Sequence, residues 1–182
     1  TGIVIGSLGA IYKTYDGGLN WEKKESNTNI SLNVLHFIDN TTGFIGAAGR
    51  KYLKTSDSGE TWTIDSIMAI PQENGSVDGI YFSDANTGWV LSSTSSSTGP
   101  GWVLRTVDGG ANWELNLTVS NNRLLAMDFF QPNIGIVVGR NVGALYYTTD
   151  GVNWNLSPTP SLGGFIYTRS DIWAVKMVSP TV

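Results

Sequence analysis

The chain has 182 residues, 41% of them hydrophobic and only 14% charged, with a formal net charge of −4, a pI near 4.8 and no cysteine. An acidic chain without a basic stripe is a poor partner for nucleic acid, and the absence of thiols excludes disulfides, thiolate metal sites and cysteine nucleophiles. Its apolar runs fall far below the roughly 18 residues of a spanning helix, so no transmembrane segment is expected, and its polar surface must be built from Ser, Thr, Asn and Gly.

In chain order, apolar runs at residues 2–6 and 10–14 and a more polar run at 21–24 give a partial unit of three strands. Four runs follow, at 32–38, 44–48, 52–55 and 62–67, bounded by the Gly, Asn and Asp residues that make turns. A third unit repeats the order at 79–82, 89–91, 102–105 and 113 onward. Its extra length, a Ser, Thr and Gly segment over 92–101, reads as a loop between its second and third strands. The fourth unit runs 124–129, 135–139, 144–147 and 154–156, and a last half-unit holds strands at 165–168 and 172–176. The 22 glycines and the scarcity of helix-favouring runs make the whole chain all-β. The expected division is one array: a partial unit over 1–29, units over 30–72, 73–120 and 121–160, and a partial unit over 161–182.

One phrase punctuates the array. Thr14, Asp16, Gly18 and Trp21 return as Thr55, Asp57, Gly59 and Trp62, then as Thr106, Asp108, Gly110 and Trp113, and, one residue shorter, as Thr148, Asp150 and Trp154. The aspartates lie 41, 51 and 42 positions apart, the kind of period that marks propellers and solenoids. An Asp opening a turn accepts bonds from backbone N–H groups about two residues on, and the Gly after it takes φ > 0 without steric cost. The Thr hydroxyl adds a weaker bond, and the Trp starts the next strand and packs beneath the turn. These acids therefore read as strand staples rather than as catalytic or calcium-binding carboxylates.

The pattern S/T-x-D-x-G-x-x-W resembles the Asp-box of bacterial neuraminidase-type repeats, found in sialidases, some glucan hydrolases, sortilin-like receptors and photosystem II assembly-factor-like proteins. The wider phrase, an apolar strand, D-x-x-x-G-aromatic, a second strand, a Gly turn and the box, is most similar to the assembly-factor-like subgroup. The resemblance implies an all-β propeller, or a propeller segment, of four-stranded Asp-box blades. Four whole or partial units sit at the lower limit for a closed ring, so a piece of a propeller of about six to eight blades is expected, with a ring of about five closed by its ends as the alternative. Open end units would leave strand edges through which copies self-associate.

Chemistry is sparse. The sialidase arginine motif is missing before the first box, no paired acids suggest acid/base work, and the single histidine, His36, cannot build a multi-histidine metal site. No catalytic residue, metal site or cofactor is expected. Lys13, Lys54 and Arg105 recur one residue before the box Thr, with Tyr147 in the fourth unit, and Arg50 and Arg140 each follow a Gly that ends a second strand. Recurring positions fall on one ring, so these five cations are candidates for a local positive face toward an acidic protein partner or anionic glycan; the plainer reading is that repeats repeat their solvated positions. Trp102, Tyr81 and Trp89 are either a sugar-stacking platform or inter-blade core. The low charge and abundant Asn, Ser and Thr fit a secreted, periplasmic or surface protein. The function expected is a non-catalytic scaffold or recognition module for a protein or glycan partner, with a fragment of an Asp-box glycoside hydrolase as the alternative.

Overall fold

A computed structural model describes residues 1–96, 98–140, 144–158 and 171–178. Its strands are β1 (Gly2–Ile5), β2 (Ile11–Thr14), β3 (Glu22–Lys24), β4 (Leu32–Phe37), β5 (Gly43–Ala47), β6 (Lys51–Thr55), β7 (Thr63–Ser66), β8 (Ser76–Phe82), β9 (Gly88–Ser93), β10 (Gly101–Thr106), β11 (Glu114–Val119), β12 (Leu124–Gln131), β13 (Ile134–Gly139), β14 (Leu145–Thr148) and β15 (Asn155–Leu156). Every pairing is antiparallel between chain neighbours, giving a three-stranded sheet, β1-β2-β3, and three four-stranded sheets, β4 to β7, β8 to β11 and β12 to β15. The chain is thus all-β, a propeller segment of blades in sequence order. No helix among the described residues is long and apolar enough to cross a membrane.

The core lies between sheets, and strand alternation supplies it. Successive residues of a strand point to opposite faces, so Phe44 meets the third sheet while Ile45 meets the first. Likewise Val90 packs against the second sheet and its neighbours Trp89 and Leu91 against the fourth. The second and third sheets are joined by a Phe44–Phe82 stack with ring centroids 3.7 Å apart, the third and fourth by Tyr81 stacked on Phe129 at 4.8 Å.

Three expectations are corrected. β8 begins at Ser76, three residues before the expected strand, because a bulge between Val77 and Gly79 lets the strand continue through a Gly whose missing Cβ leaves room for Leu91 and Met127. The expected loop over 92–101 loses both ends to strands: Gly101 pairs with Ser93 and Trp102 with Ser92. Ser93 is fully buried, and its hydroxyl accepts from the Leu124 N–H and donates to the Leu124 carbonyl, so its polarity is internally satisfied rather than exposed. Residues 172–176 form no strand. The Ile172 N–H donates to the Gly139 carbonyl and the Met177 N–H to Asp128, so this segment is held against the fourth sheet by single bonds instead of a ladder. The expected strand over 165–168 lies outside the described residues.

Candidate functional site

Each box turn is built around its threonine. Thr106 is buried; its hydroxyl donates to Asp108 Oδ1 at 2.8 Å and accepts from the Asp108 and Gly110 N–H groups at 3.3 and 3.0 Å. Asp108 in turn accepts from the backbone N–H and side-chain amide of Asn112, each at 2.8 Å. Thr14 with Asp16 makes the same set, and Thr55 with Asp57 does so with the Thr61 hydroxyl in place of the side-chain amide. The expected order of importance is therefore reversed: the Thr hydroxyl is the hub, and the Asp reaches four residues on, not two.

A full box bends through two successive left-handed residues, Gly17 and Gly18 (φ 80° and 100°), Ser58 and Gly59 (65° and 83°), or Gly109 and Gly110 (72° and 96°). The second is a Gly in all three, as this backbone region demands. The short fourth box needs only Gly151 (φ 71°), and its bonds move in by one residue: Asp150 accepts from the Val152 and Asn153 N–H groups at 2.9 and 2.7 Å. The missing residue shortens the turn without abolishing it.

These donors hold the carboxylates ionised. Asp57 is lowered to about 2, first by the Thr61 hydroxyl and then by its N–H. Asp16 and Asp108 lie below the usual carboxylate range chiefly through the N–H of Asn20 and of Asn112, and Asp150 chiefly through the Asn153 amide. Asp39 and Asp84, in the turns between first and second strands, likewise cap two backbone N–H groups each.

The boxes also latch blade to blade, which was not visible in the sequence. Lys13 Nζ donates to the Ser58 carbonyl at 2.8 Å, the Tyr52 hydroxyl to the Gly110 carbonyl at 3.1 Å, and Trp89 Nε1 to the Gly151 carbonyl at 2.7 Å. In each case a side chain of one sheet bonds the box turn of the next. The donors are of three residue types at different strand positions, so no motif announces them. The box tryptophans pack edge-on to a phenylalanine of their own first strand: Trp62 on Phe37, Trp113 on Phe82 and Trp154 on Phe129. Trp21 is 44% exposed.

The five basic positions do not form one surface. Lys13 is 3% exposed and its ammonium lies 2.6 Å from Glu60 Oε1. Arg50, itself at a left-handed φ of 58°, turns back to the Ile70 carbonyl at 3.4 Å. Arg140 lies 3.4 Å from Asp171 and over the Trp173 ring. Lys54 and Arg105 lie over the rings of their cross-strand neighbours, Phe44 and Trp89, with no carboxylate in ion-pair distance among the described residues. Trp89 and Trp102 are buried at 1% and 3% exposure, and Tyr81 is stacked on Phe129; they are core and not a sugar platform. His36 is also structural: burial depresses its pKa, and the neutral ring donates from Nε2 to the Phe82 carbonyl at 2.9 Å. Among the described residues no cluster of His or acidic side chains is arranged to hold a metal.

Repeated box turns, inter-blade aromatic cores and cross-blade latches define an Asp-box propeller array. The profile of the photosynthesis system II assembly factor YCF48 family matches residues 25–169, so the chain belongs to that family. The chain is 26% identical over 147 residues to the photosystem II assembly lipoprotein Ycf48 of Synechococcus sp. (strain CC9902), covering 79% of this chain and 41% of that protein. It thus spans less than half the length of this relative. Among solved structures, YCF48 from Cyanidioschyzon merolae is similar with a TM-score of 0.60 at 16% identity, over 82% of this chain and 50% of that one. An ancestral GH74 enzyme is similar with a TM-score of 0.65 at 17% identity, over 87% of this chain and 22% of that one. At such identities both likenesses are of fold alone.

Proposed function

We propose that this chain is a non-catalytic, protein-binding part of a propeller that acts outside the cytoplasm in the assembly of a larger complex. The observation that carries the reading is its membership, over residues 25–169, in a family of assembly factors; its Synechococcus relative is a lipoprotein, which supports the compartment. Burial of Trp89 and Trp102 removes the aromatic platform on which a glycan reading rested and favours a protein partner. Within the basic set, Lys54 and Arg105 are the proposed contacts, because Lys13 and Arg140 are already paired with acids and Arg50 is turned back on its own blade. They would meet acidic side chains of the partner.

The test is affinity capture from the source organism's extracytoplasmic and membrane fractions, with wild-type chain and the Lys54→Ala/Arg105→Ala double variant as baits, followed by mass spectrometry. A defined partner retained by wild type and depleted at least about tenfold with the variant is expected, a loss of about 1.4 kcal/mol of binding. Equal retention by both baits would remove the basic residues from the site. Turnover of a glycan panel by the purified chain would overturn the non-catalytic reading.

A further inference from the structure

The groove between the second and third blades repeats a site of the molecule with part of it left out. In the counterpart groove, between the first and second blades, Ile11 and Lys13 of β2 pair with Lys24 and Glu22 of β3, so the four side chains share one face. The box turn of the second blade sends Glu60 into that face. Its Oε1 accepts from Lys13 Nζ and from the Tyr15 hydroxyl, each at 2.6 Å, and its Oε2 lies 2.8 Å from Lys24 Nζ. Glu22 answers Lys24 from the other side, also at 2.8 Å. The groove is closed by the chain's own charges.

The register gives the same positions in the next groove to Tyr52 and Lys54 of β6 and to Asp65 and Thr63 of β7. Four differences empty it: Ala111 stands for Glu60, Ser56 for Tyr15, Thr63 for Glu22 and Asp65 for Lys24. What remains is a cavity of about 350 Å³ lined by Tyr52, Lys54, Thr63, Asp65, Asp108 and Ala111. The Lys54 ammonium lies 3.4 Å from where a Cβ on Gly109 would stand, and Gly109 is the counterpart of Ser58, whose carbonyl Lys13 bonds. All 15 acidic residues of the sequence lie among the described residues, and none is in ion-pair distance of Lys54. Nor is any described cation in ion-pair distance of Asp65. Asp108 is engaged within its own turn by Thr106 and Asn112. Both blades that form the groove have their four strands, so the cavity does not stand where a strand belongs.

Charge complementarity identifies the occupant. Lys54 and Asp65 are diagonal neighbours across β6 and β7, about 7 Å apart, and alternate side chains of an extended segment project to one side at about the same spacing. We propose that this groove receives an extended segment of a protein partner carrying an acidic side chain and, two residues away, a basic one. The acid takes Lys54 through the space that Ala111 leaves, as Glu60 takes Lys13, and the base takes Asp65. Protein side chains of the same two charges fill the counterpart groove. The inference rests on the reading that Lys54 meets an acid of the partner, and it adds to that reading a pocket and a second charge of opposite sign.

The probe is a blocked synthetic heptapeptide, TVETKVT, titrated into the ¹⁵N-labelled chain. Saturable shifts at millimolar peptide are expected at the amides of Tyr52, Lys54, Thr63, Asp65 and Gly109. Binding should weaken at least about tenfold with Lys54→Ala, and likewise when Gln replaces the peptide's Glu or its Lys. Ala111→Glu should abolish it, because the box turn then supplies Lys54 with an acid as Glu60 supplies Lys13; a circular dichroism spectrum checks the fold. Arg105→Ala should bind as wild type does. Absence of saturation, equal binding of the Gln peptides, or unchanged binding by Ala111→Glu overturns the proposal. So does failure of the full-length native protein to bind where the 182-residue chain binds, which would identify the occupant as another stretch of the same protein. Ala111→Glu as a further bait in the capture experiment separates the two readings. A partner lost with Lys54→Ala/Arg105→Ala but kept by Ala111→Glu overturns the groove and leaves the basic contacts standing. Equal capture by every bait, with the peptide behaving as expected, overturns those contacts and leaves the groove.

Discussion

The junction between the first and second sheets and the junction between the second and third occupy equivalent places in the array and both have apolar cores, but only the first adds a buried ionic cluster. At the first, Lys13 is buried and its charge is answered by Glu60, which also takes Lys24 at 2.8 Å and the Tyr15 hydroxyl at 2.6 Å. At the second, Phe44 and Phe82 stack, and Lys54, the counterpart of Lys13, lies over Phe44 with no acid in ion-pair distance among the described residues. The ionic difference follows from one box position, occupied by Glu60 in the second blade and Ala111 in the third, and the ring stack from Phe44, which stands where the first sheet has Ile3. A repeat thus dictates where two blades meet, while single residues on strand and turn decide whether an ion pair or a ring stack is added to the apolar contact. The ionic version is demanding, because a buried ammonium left without its partner costs more than the pair contributes.

Breaking the apolar junction should have the largest effect. Phe82→Ala removes the stack with Phe44 and the edge contact with Trp113, and its expected cost is about 3–5 kcal/mol, the range for a buried Phe truncated to Ala. Equilibrium denaturation in urea measures it. A loss under about 1 kcal/mol would mean that the second and third sheets do not share a rigid core.

The next effect tests the turn rather than the junction. Thr106→Val leaves the shape of the side chain and deletes a buried hydroxyl that makes three hydrogen bonds, so the Gly110 N–H loses its acceptor. The expected loss is about 1–3 kcal/mol, the usual penalty for a stranded buried polar group. Asp108→Asn should cost less, because the amide oxygen still accepts from Asn112. The reverse order would restore the acid as the centre of the box.

That ranking bears on what was legible before the fold was known. The array, the strand order and the staples could be read because they recur: a turn that needs a Gly at positive φ and a Trp under it constrains four residues at fixed spacing. The Thr was underrated because its burial is a property of the packed blade and not of the turn. The latches by Lys13, Tyr52 and Trp89 were illegible for a related reason. Each joins residues 45 to 62 apart through a carbonyl, which carries no sequence identity. The basic ring was legible as a repeated position but not as a surface, since whether Lys13 is free depends on Glu60 in the following blade. Ser92 and Ser93 misled in the opposite sense, polar residues in a buried strand whose composition looked like a loop.

A smaller effect separates the two junctions directly. Glu60→Gln keeps one oxygen for Lys13 but removes the negative charge that three donors share. We expect a lower urea midpoint than wild type, a smaller change than for Thr106→Val, and near-additivity with Phe82→Ala, because the two substitutions act on different junctions. Combined with Lys13→Met, Glu60→Gln should cost less than it does alone, since the buried charge is gone. Strong coupling with Phe82→Ala instead would mean that the array opens as one unit.

Acid should divide the junctions in the same way. Lys13, then Lys24 and Tyr15, lower Glu60 from 4.5 to about 2, and Thr61 lowers Asp57 from 3.8 to about 2. Both folded values lie below the unfolded ones, so the stability these groups contribute is present above about pH 4.5 and is lost as the pH falls toward 2. The Phe44–Phe82 stack itself carries no titrating group, and among the described residues no ion pair joins the second and third sheets. Between pH 5 and 2.5, hydrogen exchange should therefore accelerate first in β1 to β3, as the first sheet comes free of the second, while the amides of β9 and β10 keep their protection. Glu60→Gln should flatten the response of the first sheet without changing that of the third. Simultaneous loss in both sheets would show that the box aspartates, present in every blade, govern acid unfolding and that the cross-blade pair adds little to it.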